Sequence, residues 1–228
     1  MQGENSMEQA KDRILDAALG HAPFDGWSDV TLRAALADSG VASGLGQALF
    51  PRGGIDLAVA YHKRGDTAMR DAYAATDLAA LRIRDRITLA VRLRLQAADK
   101  ELVRRGSALF SMPHHAGEGA GLIWATADAI WLALGDTSTD VNWYSKRATL
   151  SAVYGATVLF WLGDTSEGDQ ATWEFLDRRI ENVMQFEKTK AKLQENPLAK
   201  ALLAGPLKVL QKIRAPQPAQ DLPGRNSH

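Results

Sequence analysis

The segment SDVTLRAALADSGVASGLGQALFPRGG, residues 28–54, decides the fold class of this chain. Either Ser28 or Asp29 can cap a helix, Gly40 is placed to end it, and a proline closes a second short helix after it. The two expected helices cover 30–39 and 43–50. Two short helices joined by a glycine turn are typical of a helix-turn-helix, so we expect an all-α protein with this motif near its amino terminus.

Helical periodicity continues on both sides of this motif, and the sequence has no clear alternating strand pattern. The other expected helices cover 8–21, 55–76, 78–110, 119–134, 140–162 and 169–192. They predict a helix-turn-helix bundle over 8–54 and a larger helical bundle over 55–192.

The composition indicates a folded protein from a reducing compartment. The 228 residues are 46% hydrophobic and 24% charged, with no cysteine and a net charge of zero. The lack of cysteine excludes disulfide scaffolds, thiolate metal sites and cysteine nucleophiles. Because the first residues have the pattern of neither a signal nor a transit peptide, we expect a cytoplasmic protein.

The helix-turn-helix raises the possibility of DNA binding, but its charge argues against it. The helix over 43–50 has no lysine or arginine, and Gln47 is its only candidate for reading bases. The first 60 residues hold four basic and eight acidic side chains, and such a surface repels phosphate. We expect no nucleic-acid partner; a ligand-responsive transcriptional regulator is the alternative function.

No motif predicts catalysis, a metal site or a cofactor. His114 and His115 stand near Glu118, but in a loop rich in proline and glycine, and no Glu-x-x-His pair marks a di-iron bundle. The chain also lacks a nucleophile elbow and a phosphate-binding loop. We expect a protein that is not an enzyme.

The aromatic residues give a stronger indication of binding. Five of the six tryptophans lie between residues 124 and 173, and most of them fit a core. Trp143 and Tyr144 are adjacent at a helix start, where both cannot easily face inward. One of them is therefore expected at the surface, as an anchor for a protein partner.

The last part of the chain predicts an amphipathic basic helix over 197–214 and a disordered tail over 215–228. Its apolar arc contains Leu198, Leu202, Leu203, Val209, Leu210 and Ile213, and the opposite arc contains Lys200, Lys208 and Lys212. Such a helix can pack on the bundle, bind a partner helix or lie on a membrane. The absence of acidic residues favours the membrane.

A short helix-turn-helix followed by long helices resembles the plan of TetR-type regulators. Four strings carry a closer resemblance to the lipid-binding accessory proteins of coenzyme Q biosynthesis, which are TetR-like in fold. They are APFDGW (22–27), ALFPRG (48–53), GDTSTDVNWYSKR (135–147) and TWEFLDRR (172–179). The resemblance covers about residues 8 to 190, and the third string is its most specific part.

This resemblance implies a non-enzymatic helper of ubiquinone synthesis. Such a protein binds an isoprenoid or phospholipid in its larger bundle, docks on membrane lipids through its C-terminal helix, and presents a surface patch to the di-iron hydroxylase of the pathway. In this sequence the patch corresponds to Ile130, Trp131, Asp140, Trp143 and Tyr144. The resemblance also implies a homodimer paired through 140–192 and, with no transit peptide, a bacterial protein on the inner face of the cytoplasmic membrane.

Overall fold

The computed structural model describes residues 2–195 and 216, and every regular element in that part of the chain is helical. The helices are α1 (Gln2–Asp25), α2 (Asp29–Ser39), α3 (Ser43–Leu49), α4 (Gly54–Ala74), α5 (Ile83–Gln96), α6 (Lys100–Phe110), α7 (Ala116–Ala133), α8 (Val141–Gly163) and α9 (Gln170–Glu195), with a 3-10 turn at Glu167–Asp169 before α9. The expected all-α class is confirmed.

The helix-turn-helix forms from the local signals that predicted it. Ser28 is the cap of α2, and its hydroxyl accepts a hydrogen bond from the Thr31 amide at 3.3 Å. Gly40 ends α2 with φ +65°, a left-handed conformation in which a side chain would be strained. The helix α3 follows after only three residues.

Two helix predictions are wrong. The expected helix over 78–110 is two helices, because the Asp99 carboxylate accepts from the amides of Glu101 and Leu102 at 2.9 and 3.0 Å and starts α6. The first helix does not stop at residue 21. It continues through Pro23, and the Gly26 amide donates to the Ala22 carbonyl at 3.0 Å to close the last turn.

Two hydrophobic cores share the helix α4. Its first half contributes Leu57 and Ala58 to a core with α1 and α2. Its second half contributes Met69 and Tyr73 to a larger core with α5, α7, α8 and α9. Since α4 belongs to both cores, it gives no boundary between two bundles. The predicted bounds of the bundles, 8–54 and 55–192, therefore stay predictions.

An ion pair ties the turn after α3 to α7. Arg52 donates through Nη1 and Nη2 to the two carboxylate oxygens of Glu118, at 3.0 and 2.9 Å. Glu118 therefore serves a structural contact here. The rings of His114 and His115 lie close together, with centroids 4.1 Å apart and planes tilted by 60°.

Candidate functional site

The predicted partner-binding patch lies where α7 ends and α8 begins. Trp143 and Tyr144 are both half-buried, with ring centroids 4.8 Å apart in an edge-on arrangement. Asp140 is exposed and caps α8 by accepting from the Asn142 amide at 3.0 Å. Each aromatic ring thus keeps an accessible part, and neither of them is fully exposed.

The other two predicted patch residues lie deeper. Ile130 is completely buried in the larger core, so it is not part of the accessible surface. Trp131 is half-buried, and its indole Nε1 donates to the Lys146 carbonyl at 3.1 Å. The Lys146 ammonium lies 5.2 Å from the centroid of the Trp131 ring. The accessible patch therefore consists of Trp131, Asp140, Trp143 and Tyr144.

A buried arginine holds the patch in place. The Arg147 guanidinium lies 4.1 Å from the centroid of the Trp143 ring, at the distance of a cation–π contact. Arg147 also pairs through Nε with Asp128 and through Nη1 with Asp136, the latter at 3.0 Å. The Arg147 guanidinium, whose charge is compensated by the carboxylates of Asp128 and Asp136, thus holds the Trp143 ring in position.

Asp136 accepts hydrogen bonds from both Lys146 and Arg147, the two cations beside the aromatic rings of the patch. Burial disfavours its charged form, but hydrogen bonds from Lys146, Ser138 and Arg147 together outweigh burial and lower its pKa to about 2. The Asp136 side chain is 4% exposed. The string GDTSTDVNWYSKR therefore contains both the aromatic residues Trp143 and Tyr144 and the charged residues Asp136, Lys146 and Arg147 that pack against them.

A cavity of about 400 Å³, here called the main cavity, lies between α4, α6, α7 and α8. Most of its wall is apolar or aromatic, and includes Trp27, Leu102, Phe110, Ile123, Val158 and Leu159. Leu159 is 70% exposed and so lies at the outer edge of the cavity. A concave apolar space of this size with few polar groups is typical of a site for a small apolar ligand.

A polar cluster of four side chains borders the main cavity: His62 and Asp66 of α4, Arg94 of α5 and Thr126 of α7. Arg94 Nε donates to Asp66 Oδ1 at 2.6 Å, and its Nη2 donates to the His62 carbonyl at 3.0 Å. The Thr126 hydroxyl donates to the same Asp66 oxygen at 2.8 Å, and His62 Nε2 lies 2.8 Å from this hydroxyl. The cluster therefore joins three helices by one continuous hydrogen-bond network.

The cluster depends on close approach of α4 and α5. A Cβ atom on Gly65 would lie 2.5 Å from Arg94 Nη1, so only glycine lets the guanidinium pack against α4 at this point. Burial, and next the charge of Arg94, lower the pKa of His62 to about 4. The imidazole is therefore neutral near pH 7.

The sequence analysis does not predict this cluster. One local signal exists: His62 and Asp66 stand four residues apart, on a face of α4 that is otherwise apolar. Their partners Arg94 and Thr126 lie far along the chain, and no sequence spacing indicates the contacts. Only the packing of α4, α5 and α7 brings the four residues together.

A second cavity, of about 270 Å³, opens beside the patch. Trp131 and Lys146 line it together with apolar residues of α5, α8 and α9, among them Ile87, Val153 and Ile180. The patch thus has an apolar recess next to its aromatic rings.

The remaining predicted sites have no described geometry. The membrane helix over 197–214, with its six apolar residues and three lysines, lies outside the described residues, as does the tail apart from residue 216. Within residues 2–195, no helix is long and apolar enough to cross a bilayer. The same part of the chain holds no group of three or more His, Cys, Asp or Glu side chains placed for a metal ion.

The chain is similar in sequence to COQ9 proteins of ubiquinone biosynthesis. The family model of COQ9 matches residues 116–187. The human protein "Ubiquinone biosynthesis protein COQ9, mitochondrial" is 29% identical over 190 residues, which cover 79% of this chain and 59% of the human protein. The proteins of the same name from Drosophila melanogaster and Xenopus tropicalis are 30% and 31% identical, and the matches cover 81% and 80% of this chain and 60% of each relative.

These relatives correct one prediction. The expected location on the inner face of the cytoplasmic membrane is wrong, because the relatives are named as mitochondrial proteins. The chain spans about 60% of the length of the curated relatives that it matches.

A solved structure agrees with the helical arrangement. The TetR transcriptional regulator from Nitrosomonas europaea ATCC 19718 superposes with a TM-score of 0.62 at 22% identity, covering 75% of this chain and 95% of that protein. This likeness confirms the expected TetR-like fold. The expected resemblance is confirmed as well: the chain is similar to the COQ9 proteins over about four fifths of its length and has a TetR-like fold.

Proposed function

We propose that this chain is a non-enzymatic accessory protein of ubiquinone biosynthesis. It binds an isoprenoid lipid in the main cavity and presents the lipid to the di-iron hydroxylase, which docks on the patch. The names of the COQ9 relatives support the pathway. The apolar wall of the main cavity is the observation that carries the lipid-binding part of the proposal.

The energetics favour a carrier of this kind. Each methylene group of a prenyl chain gains roughly 0.8 kcal/mol when it leaves water, so the lipid does not leave a bilayer without an apolar shelter. The main cavity offers such a shelter, and Leu159 at its edge gives an apolar entrance.

The patch supports the docking part of the proposal. Trp143 presents a large ring whose position is fixed by Arg147 and by the ion pairs of Arg147, and Tyr144 packs edge-on against the Trp143 ring. Rigid, partly exposed aromatic side chains are frequent anchors of protein interfaces. The second cavity beside them can receive an apolar group of the partner or of the lipid.

Native mass spectrometry with solvent extraction tests lipid binding. We expect protein purified from a ubiquinone-producing host to carry a prenyl lipid, and protein stripped of lipid to regain one from liposomes that contain it. Protein that carries no lipid and takes none from liposomes would contradict the carrier function.

The variant Trp143→Ala tests the docking surface. Removing a central aromatic anchor weakens a complex by about 2 kcal/mol, or roughly thirtyfold in Kd, measured by titration with the purified hydroxylase. Phe24→Ala is the matched control, because Phe24 is 82% exposed and lies in the other bundle. Equal affinities of the two variants would place the hydroxylase elsewhere, and a collapse in Tm of Trp143→Ala would assign the ring to the core.

We also propose a homodimer that pairs through α8 and α9. Phe160 of α8 is 38% exposed and stacks on Phe175 of α9, with ring centroids 4.5 Å apart. Burial of these rings against a second copy would remove apolar surface from water. Light scattering after size exclusion should report a dimer, and Phe160→Asp should shift it to a monomer; a monomeric parent protein would contradict this pairing.

A further inference from the structure

The main cavity opens to solvent at a mouth that carries no charge. The residues that line the cavity and are also exposed define this mouth: Ser111, Ala116, Ala120 and Leu159. Leu159 of α8 is the largest of them, and 70% of it is exposed. An apolar ligand in the cavity would therefore meet water at this edge, which costs free energy for each methylene group left uncovered.

Leu159 also belongs to an exposed face of α8 that has no charged residue. No Asp, Glu, Lys or Arg occurs between Ala148 and Gly163, which are about 22 Å apart along the helix axis. The exposed residues of this segment, here called the α8 face, are Ala148, Ala152, Leu159, Phe160 and Gly163. An apolar strip of this length on a protein surface marks an interaction site. The mouth of the cavity and the α8 face meet at Leu159.

A second copy of the chain suits the α8 face. In a two-fold pair a surface meets its own copy, so a charge at its centre would face a like charge, and the α8 face has none. Ala148 and Ala152 are four residues apart on one ridge of the helix, and such small residues let two helices pack closely. Phe160 of the same face stacks on Phe175 and already belongs to the proposed dimer contact.

We propose that a second copy of the chain, paired through the α8 face, covers the mouth of the main cavity at Leu159, so that the cavity is closed only in the dimer. The inference rests on the proposed lipid-binding function and homodimer, and adds that the two are coupled. In a single copy the ligand is open to water at the mouth. In the dimer the ligand exchanges only when the two copies move apart at this edge.

Chemical labelling tests whether the mouth is covered. The chain contains no cysteine, so Leu159→Cys supplies a single thiol at the mouth. Leu45→Cys is the matched control, at a leucine of α3 that is 43% exposed. Each variant is made alone and combined with Phe160→Asp, which should separate the copies, and light scattering reports the oligomeric state of all four proteins.

We expect the thiol at position 159 to react with a maleimide about tenfold more slowly in the dimer than in the combined variant, because the reaction requires the copies to move apart. The thiol at position 45 should react at the same rate in both.

Release of a neutral isoprenoid tests whether the cover retains a ligand. Retinol accepts excitation energy from tryptophan, and Trp27 lines the cavity, so transfer of bound retinol to phosphatidylcholine vesicles can be followed by stopped-flow fluorescence. Phe160 does not line the cavity, so Phe160→Asp acts on release through the pairing. We expect retinol to leave Phe160→Asp about tenfold faster than the unchanged protein, as for roughly two methylene groups left in water.

Two further variants assign the effect to the α8 face. Phe24→Asp makes the same change at an exposed phenylalanine of α1 and should leave both the dimer and the release rate unchanged. Ala152→Arg puts a bulky charge on the α8 face without removing a ring, so it replaces Phe160→Asp if that variant does not fold.

The outcomes separate this inference from the proposals on which it rests. A dimer in which position 159 reacts as fast as in the monomer would keep the homodimer and overturn the cover. Protection of position 159 that appears only after vesicles are added would assign the α8 face to a membrane and overturn the pairing there. Equal release of retinol from dimer and monomer would overturn the coupling.

Two results would instead contradict the underlying proposals. An unchanged protein that is monomeric would refute the homodimer, and this inference with it. A chain that binds no retinol in any form would contradict the lipid-binding function and the coupling, and the labelling rates would still decide whether a second copy covers the mouth.

Discussion

Removal of the Asp66 carboxylate should be among the most costly single changes in this protein. Arg94 and Asp66 are 3% and 8% exposed, and Arg94 Nε lies 2.6 Å from Asp66 Oδ1. In Asp66→Ala the guanidinium keeps its charge, since arginine does not deprotonate in proteins. Only the His62 carbonyl then remains as its acceptor within the polar cluster, at 3.0 Å. Breaking a buried pair in this way costs about 3–5 kcal/mol, and the Thr126 hydroxyl keeps only the more distant Leu122 carbonyl, at 3.2 Å, as an acceptor.

The assay is equilibrium unfolding in urea at neutral pH, followed by tryptophan fluorescence and circular dichroism. Asp66→Ala should lower the free energy of unfolding by about 3–5 kcal/mol. The double variant Asp66→Ala, Arg94→Met removes both charges and should be more stable than Asp66→Ala alone, because no unpaired charge stays buried. A loss below about 1 kcal/mol in Asp66→Ala, the usual range of an exposed pair, or a double variant no more stable than the single one, would refute the reasoning.

Three further predictions concern His62, Gly65 and Asp136. The pKa of His62 is lowered, so below pH 6.5, the ordinary pKa of histidine, the unfolded chain takes up a proton that the folded protein does not. The free energy of unfolding is therefore highest above pH 6.5 and is lower by about 2–3 kcal/mol at pH 4.5. Urea unfolding at the two pH values should show this loss, and His62→Gln should lack it; an equal loss in His62→Gln would assign the titration to another group. Gly65→Ala should lower the free energy of unfolding in urea by about 1–3 kcal/mol, because the added methyl group forces the Arg94 guanidinium away from α4. An unchanged urea midpoint would mean that α4 and α5 can move apart at no cost. Asp136 has a lowered pKa, so its ionised carboxylate contributes about 2 kcal/mol to the free energy of unfolding above pH 3.8, and this contribution is lost as the pH falls towards 2. Asp136→Asn should therefore be less stable by this amount at pH 7 in urea unfolding. Equal stability of the two proteins at pH 7 would show that the negative charge of Asp136 does not stabilise the fold.

Local signals explain why the helix-turn-helix could be predicted from the sequence. Ser28 and Gly40 act within a few residues, through a side-chain cap and a left-handed turn, and both are visible in the sequence. The break between α5 and α6 has a cap residue, Asp99, but no glycine or proline that ends α5. Because Ala97 and Ala98 also favour helix, the sequence predicted one continuous helix.

The candidate site divides in the same way. The sequence predicted that one of Trp143 and Tyr144 lies at the surface, because adjacent residues on a helix point in different directions; in the structure both are half-buried. Ile130 lies outside the four strings and was assigned to the patch by the resemblance alone, whereas its burial depends on how α7 packs in the larger core. The lipid site was predicted only as a part of the larger bundle, from the resemblance. Its polar cluster depends on residues from three helices, with His62 and Thr126 separated by 64 positions, so no local pattern could predict it.

The two cavities follow one another along α8, and this order bears on the proposed delivery of lipid. Residues 142–153 of α8 contribute to the second cavity, and residues 154–159 contribute to the main cavity. Val158 lies 15 positions after Trp143, which is about 22 Å along the helix axis. An apolar ligand that moved from the main cavity to the patch through open water would lose roughly 0.8 kcal/mol for each methylene exposed. The second cavity lies next to the patch and offers apolar side chains there. The proposed delivery to a docked enzyme therefore avoids this loss only where the enzyme covers the recess beside Trp131.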